Sequence, residues 1–226
     1  MRIPSKILHQ LIMKKLSEVV AQKEPRQAVT DGLLWASERG VDSHGVRLLP
    51  HYYESVVLGK ILANDLIGDV KWHGSIGSLD AAHNFGHYAG VCAVRAAIHR
   101  ATKTGIALVS VKRSSHCGAM GFFSSLVADE NMIGIALTNA TPRVKSPNGV
   151  RPFMGNNPIS VSAPGLDGDH FLFDAAMTST TFNAINLARE RGLQLPEGVA
   201  ADATGKLTID PTKAEQLIGI GDYKGF

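Results

Sequence analysis

The chain has 226 residues, of which 44% are hydrophobic and 19% charged, with a formal charge of +3. That composition is globular and long enough to bury roughly 70% of the unfolded surface. The cations are scattered among the acids, so no basic stripe points to nucleic acid and no lipid-binding face is expected; small anions remain plausible partners.

There is no run of 18 apolar residues and no leader pattern at the start, so neither a membrane span nor a signal peptide is expected and a cytoplasmic location follows. Cys92 and Cys117 are the only cysteines, which gives no disulfide framework.

Ser5 is placed to cap a first helix, with Ile7, Leu8, Leu11, Ile12, Leu16, Val19 and Val20 at helical spacing. A second helix runs from about Pro25, with Ala28, Val29, Leu33, Leu34 and Ala36 inward and Gly40 as its stop. Then comes Val41-Asp42-Ser43-His44-Gly45-Val46-Arg47, which crowds an acid, a hydroxyl, an imidazole and a guanidinium into six residues. Asp42 and Ser43 could each be simple turn or cap residues. Together with His44 and Arg47 they supply a proton carrier beside a fork that fits a carboxylate. Pro50 opens a third helix carrying Tyr52, Tyr53, Val56 and Val57 and stopping at Gly59.

Residues 61–80 suggest short strands and turns around Trp72 and Gly74. Val91, Val94, Ile98 and Ala101 mark a helix ending before Gly105. His73, His83, His87 and His99 share no ligand spacing and read as surface or turn histidines, so no metal site is expected.

The apolar run Ile106 to Val111 has the character of a buried strand, and Phe122 to Ala128 that of a helix; Ser114-Ser115-His116-Cys117-Gly118-Ala119 joins them. Imidazole on such a loop can give or take a proton near neutrality, although it can equally do no more than brace its own turn. Further strands are expected at Ile133 to Leu137, leading to Asn139 and Ala140; at Ile159, Val161 and Ala163, alternating with serines; and at Phe171 to Phe173, leading to Asp174, Ala175 and Ala176. Small residues at three strand ends would let a flat ligand approach the backbone. A helix over 183–193 ends at Gly192. The closing Gly219-Ile220-Gly221 run misses the dinucleotide fingerprint, because no strong strand precedes it.

Taken in order, Gly40-Val41-Asp42-Ser43-His44-Gly45, Ser114-Ser115-His116-Cys117-Gly118-Ala119, Gly155-Asn156-Asn157-Pro158, Phe173-Asp174-Ala175-Ala176 and Thr208-Ile209-Asp210-Pro211 resemble the malate/L-lactate dehydrogenase family of the non-Rossmann type. The resemblance implies an α/β fold with a non-Rossmann NAD(P)-binding, mostly antiparallel sheet and an N-terminal helical region. It implies residues 1–60 as the helical substrate and dimer region, and 61–226 as a nucleotide-binding domain incomplete at its C-terminal end. It implies hydride transfer between NAD or NADP and a small 2-hydroxy or 2-oxo acid, in a homodimer. His116 or His44 would exchange the proton while Ser43 and Arg47 hold the substrate; Asn139, Ala140, Asp174, Ala175, Ala176 and Lys224 would lie along the cofactor. Arg47 falls two residues after Gly45, where many relatives place it three after, and Asn183-Ala184 stands where relatives often carry Gly-Lys. Relatives also continue well past the Lys224 motif. An impaired member that retains only binding or dimerisation is therefore the alternative reading, and a histidine-based metal-dependent hydrolase a distant third.

Overall fold

The structure is a computed structural model and describes residues 3–63, 67–221 and 224. The chain forms two compact units, one of residues 1–134 and 163–170 and the other of residues 135–162 and 171–226. The first unit contains the whole of residues 1–60.

In the first unit, α1 (Ser5–Leu16) and α2 (Lys23–Glu38) pack through Ile12, Leu16, Val20, Ala28, Val29 and Leu33, all buried. The expected inward face of α2 is the observed one, and Gly40 stops the chain with φ +71°. The start of α1 differs from expectation. Pro4, not Ser5, is the N-cap, and Ile7 and Leu11 are exposed, because the helix buries only the narrow face of Ile12 and Leu16, four residues apart.

Residues Asp42–His44 and Val46–Leu48 form two short 3₁₀ turns, neither with a side-chain cap, and α3 (Leu49–Val57) follows with Pro50 in its first turn. Strands β1 (Lys71–His73) and β2 (Ile76–Asp80) pair antiparallel. Helix α4 (Gly86–Thr104) then crosses to β3 (Leu108–Lys112), which lies parallel to β2. β3 is an edge strand of this three-stranded sheet, so Ile106 and Leu108 are exposed rather than enclosed as in a buried strand. Helix α5 (Met120–Ala128) completes the unit.

In the second unit, β4 (Gly134–Leu137), β7 (Ile159–Ala163) and β8 (Phe171–Ala175) form one small sheet in the order β4-β7-β8. Between them in sequence lie β5 (Val144–Lys145) and β6 (Pro152–Met154), an antiparallel pair. Helix α6 (Phe182–Arg191), β9 (Ala200–Ala201) and β10 (Gln216–Leu217) follow; β10 runs antiparallel to β9 and parallel to β5. Val144, Ile185, Leu195, Ala200, Ala214 and Leu217 make a core around α6. The fold is thus α/β with small mixed sheets and, among the described residues, none of the long parallel array of a doubly wound domain.

The alternation along β7 is present with its faces reversed: Ser160 and Ser162 are buried, while Ile159, Val161 and Ala163 are only partly covered. Ser160 is satisfied there because its hydroxyl donates to the Phe173 carbonyl at 2.8 Å. Helix α6 is the one described helix whose N-cap side chain bonds its first turn, Thr181 Oγ1 accepting from the Ala184 N–H at 3.2 Å. Replacing Thr181 by Ala should cost about 1 kcal/mol of unfolding free energy, read from urea titration, and an unchanged midpoint would show the cap to be idle.

Candidate functional site

The loop carrying His116 is fixed at two points just before that residue. At its start the Arg113 guanidinium grips Asp80 through two bonds of 2.8 Å, and the Arg113 carbonyl accepts the His83 N–H. That grip, with the Ala82 amide, holds the exposed Asp80 carboxyl at about 2. Further on, Ser115 Oγ accepts the Gly86 N–H at 3.0 Å, and a Cβ on Gly86 would sit 2.3 Å from the Ser115 carbonyl oxygen. Only glycine at the first turn of α4 lets the loop lie this close.

So held, His116 meets the residues of the earlier turn. Its ring stacks with His44 at 5.8 Å between centroids and 16° between planes. His51 stands edge-on at 6.2 Å, and the Tyr52 hydroxyl lies 2.6 Å from His116 Nδ1. His44 Nδ1 is in turn 3.0 Å from Ser43 Oγ. The two imidazoles singled out from sequence, seventy-two positions apart in the chain, therefore share one cluster with Ser43. Arg47 lies in the adjoining 3₁₀ turn and is exposed.

Burial and the neighbouring rings depress the protonation of His116. Burial first, then the charges of His44 and His51, bring His116 down to about 4, although the residue as a whole is exposed at the mouth of the cluster. Burial also lowers His44. Tyr52 is raised well above its ordinary value, first by burial and then by Cys117, so it stays a phenol. At neutral pH His44 and His116 are neutral imidazoles beside a hydrogen-bonding hydroxyl. The neighbours acting on His116 are imidazoles rather than carboxylates, a setting that would welcome an anionic ligand.

Three neighbours, His51, Tyr52 and His87, lie outside the site residues that the sequence suggests. The sequence places Tyr52 only on the third helix and His87 among surface or turn histidines. His87 is fully buried, and its ring meets Tyr52 edge-on at 5.1 Å. His73, His83 and His99 are exposed. Among the described residues no three His, Cys, Asp or Glu side chains come together in a way that could hold a metal ion.

In the second unit the three strand ends meet. The Ala140 N–H donates to Asn157 Oδ1 at 3.2 Å, a Cβ on Gly155 would lie 2.3 Å from the Ala140 carbonyl oxygen, and the Met177 N–H donates to the Asn156 carbonyl at 2.8 Å. Asn139 and Asp174 are exposed there, and Ala140, Ala175 and Ala176 partly so. The Ile220 N–H donates to the Met177 carbonyl, which brings the terminal glycine run beside the Asp174 strand end, and the Lys224 N–H closes onto the Gly221 carbonyl. Asp222, Tyr223, Gly225 and Phe226 of that run lie outside the described residues.

The family model of the malate/L-lactate dehydrogenases matches residues 3–226. The chain belongs to that family. It is 35% identical over 207 residues to a malate dehydrogenase of Pyrococcus abyssi, covering 92% of this chain and 57% of that relative. It is 30% identical to the ureidoglycolate dehydrogenase (NAD(+)) of Escherichia coli, covering 100% of this chain and 65% of the relative. A crystal structure of malate dehydrogenase from Entamoeba histolytica superposes with a TM-score of 0.94 at 26% identity, over 100% of this chain and 67% of that one. The chain thus spans about three fifths of the curated relatives it matches first, 57% and 60%. No helix among the described residues is long and apolar enough to cross a membrane.

Proposed function

We propose that this chain carries the working groups of an NAD(P)-dependent oxidoreductase acting on a small 2-hydroxy or 2-oxo acid. Residues 1–60 supply the substrate-side groups and 61–226 the nucleotide-binding part. The observation that carries this reading is the bond between Tyr52 and His116 Nδ1, with the His44 ring stacked on His116. In the tautomer that leaves Nε2 free as a base, Nδ1 bears the proton and the Tyr52 oxygen accepts it. His116 then takes the hydroxyl proton of a hydroxy acid at Nε2, and the Tyr52 oxygen steadies the imidazolium that forms. In the reverse direction His116 returns that proton to the substrate oxygen. Ser43, His44 and Arg47 hold the substrate's carboxylate and oxygen.

The residues along the strand ends suit a dinucleotide. Ala140, Gly155, Ala175 and Ala176 are small enough for close approach, while Asn139, Asp174 and Lys224 offer polar partners. When bound, NAD or NADP supplies the acceptor or donor of hydride. The proposal includes a cytoplasmic location and a homodimer, the latter resting on the family likeness alone.

Titration with NADH and with NADPH, followed by nicotinamide fluorescence, tests the reading and chooses between the cofactors. Saturable binding of one of them with turnover of a 2-oxo acid is expected. Binding without turnover identifies the impaired-member reading, and no binding of either sinks the proposal for this chain. Activity that survives without nicotinamide but is lost to a chelator would favour the hydrolase reading, for which no donor cluster among the described residues speaks.

A further inference from the structure

Among the described residues, His87 is the one large polar side chain of the first unit that is fully buried with neither ring nitrogen bonded; both Nδ1 and Nε2 lack a hydrogen-bond partner. A buried imidazole in that condition costs free energy, so its place calls for an account. Its surroundings supply one. A Cβ on Gly32 of α2 would lie 2.3 Å from His87 Cδ2, and a Cβ on Gly118, two residues after His116, would lie 2.5 Å from His87 Nε2. The ring therefore fills a slot that exists because two glycines, 86 positions apart, bear no side chain. The occupant of the slot meets the Tyr52 ring edge-on at 5.1 Å and 77°.

We propose that His87 is a positioning residue: wedged between Gly32 and Gly118, it sets the Tyr52 ring so that the phenol reaches His116 Nδ1 and, through Gly118, backs the loop that carries His116. The proposal rests on the reading of His116 as proton carrier for its use, but not for its geometry. The charged or titratable groups that act on His87 are His116 from the loop and His44 from the first 3₁₀ turn, with the Tyr52 phenol of α3 against its ring. No partner holds the proton of His87, so His87 exchanges none with substrate. Its contribution is steric.

Long-range ¹H–¹⁵N spectra of protein labelled in its histidine rings, with the His116 signal assigned from His116→Gln, read the balance of the two His116 tautomers without any nicotinamide present. His87→Ala, which empties the slot, and Gly32→Ala, which pushes the ring while improving local helix propensity, should each shift the His116 Nδ1 resonance in the direction that Tyr52→Phe shifts it. His87→Leu, similar in volume, should leave it near the parent position. If His87→Ala does not fold, Gly32→Ala decides. A His116 Nδ1 signal unmoved in a folded His87→Ala or Gly32→Ala protein overturns the proposal, as does a shift in His87→Leu as large as in His87→Ala. Failure of nicotinamide binding in the parent, with these shifts present, would strike the oxidoreductase reading and leave the positioning role standing.

Discussion

His116→Gln should lower kcat by about 10² to 10⁴ while leaving the affinity for NADH or NADPH essentially as in the parent. The reason is the placement of the ring. His116 stands at the meeting point of Tyr52, His44 and His51. Glutamine keeps comparable bulk and can still bond to Tyr52, but it neither accepts nor gives a proton in the working pH range. His44→Gln should behave differently, raising KM more than it lowers kcat, because His44 Nδ1 is tied to Ser43 and its proposed role is to hold substrate. Rates with a saturating 2-oxo acid and, separately, fluorescence titration of the nicotinamide distinguish the two. The acid limb of the hydroxy-acid oxidation should lie nearer pH 4 than the ordinary 6.5 of imidazole, since burial and the neighbouring rings keep His116 neutral to about 4. If His44→Gln instead gives the larger loss of kcat with unchanged KM, the proton carrier has been assigned to the wrong ring.

Much of this arrangement is legible along the chain, because local chemistry decides it. The helix stops at Gly40, Gly59, Gly105 and Gly192 all have positive φ, where glycine has no side-chain penalty. The loop at His116 follows from an apolar run, a glycine and a helical run in succession. What could not be read locally is whatever depends on contacts far apart in sequence. Tyr52 and His116 are 64 residues apart, and nothing in the spacing of α3 says that a phenol will find an imidazole on another loop. The slot for His87 needs Gly32 and Gly118 together, so a histidine without ligand spacing is taken for a surface group when it is in fact fully buried. In β7 the period of two is plain, but which face is inward is set by a bond from Ser160 to β8, and polarity alone chooses the wrong one. The enclosure expected for β3 fails because sheet order, a nonlocal property, leaves it at an edge.

The same cluster should make the protein lose stability in mild acid, before its carboxylates titrate. His44, His87 and His116 are all lowered in the folded state, His116 to about 4 and His87 to about 3, with burial the first cause in each. In the unfolded chain an imidazole takes its proton near 6.5, so between that pH and the folded values the unfolded state binds more protons. Unfolding free energy therefore rises with pH across this window and is lost as pH falls from 6.5 toward 4 and 3. His87, with no exposed surface, has the largest share, up to roughly 1.4 kcal/mol for each pH unit in the window. At pH 4.5 that is about 2 to 3 kcal/mol from one ring, a sizeable part of the roughly 5 to 15 kcal/mol that stabilises a domain. The lowered carboxylates act in a separate window: Asp80, held at about 2 chiefly by Arg113, and Asp202 and Asp210, each held down first by a threonine hydroxyl, keep their contributions above the usual carboxylate range and lose them only below it. His87→Leu isolates the histidine share, because leucine of similar volume fills the slot and cannot be protonated. Thermal melts followed by circular dichroism at pH 7.5, 6, 5 and 4.5 should show the parent Tm falling steeply between 6 and 4.5 and the His87→Leu Tm falling much less. Parallel slopes for the two proteins would mean that His87 takes up its proton in the folded state as readily as in the unfolded one, and the buried, unpartnered ring could then not be the source of acid sensitivity.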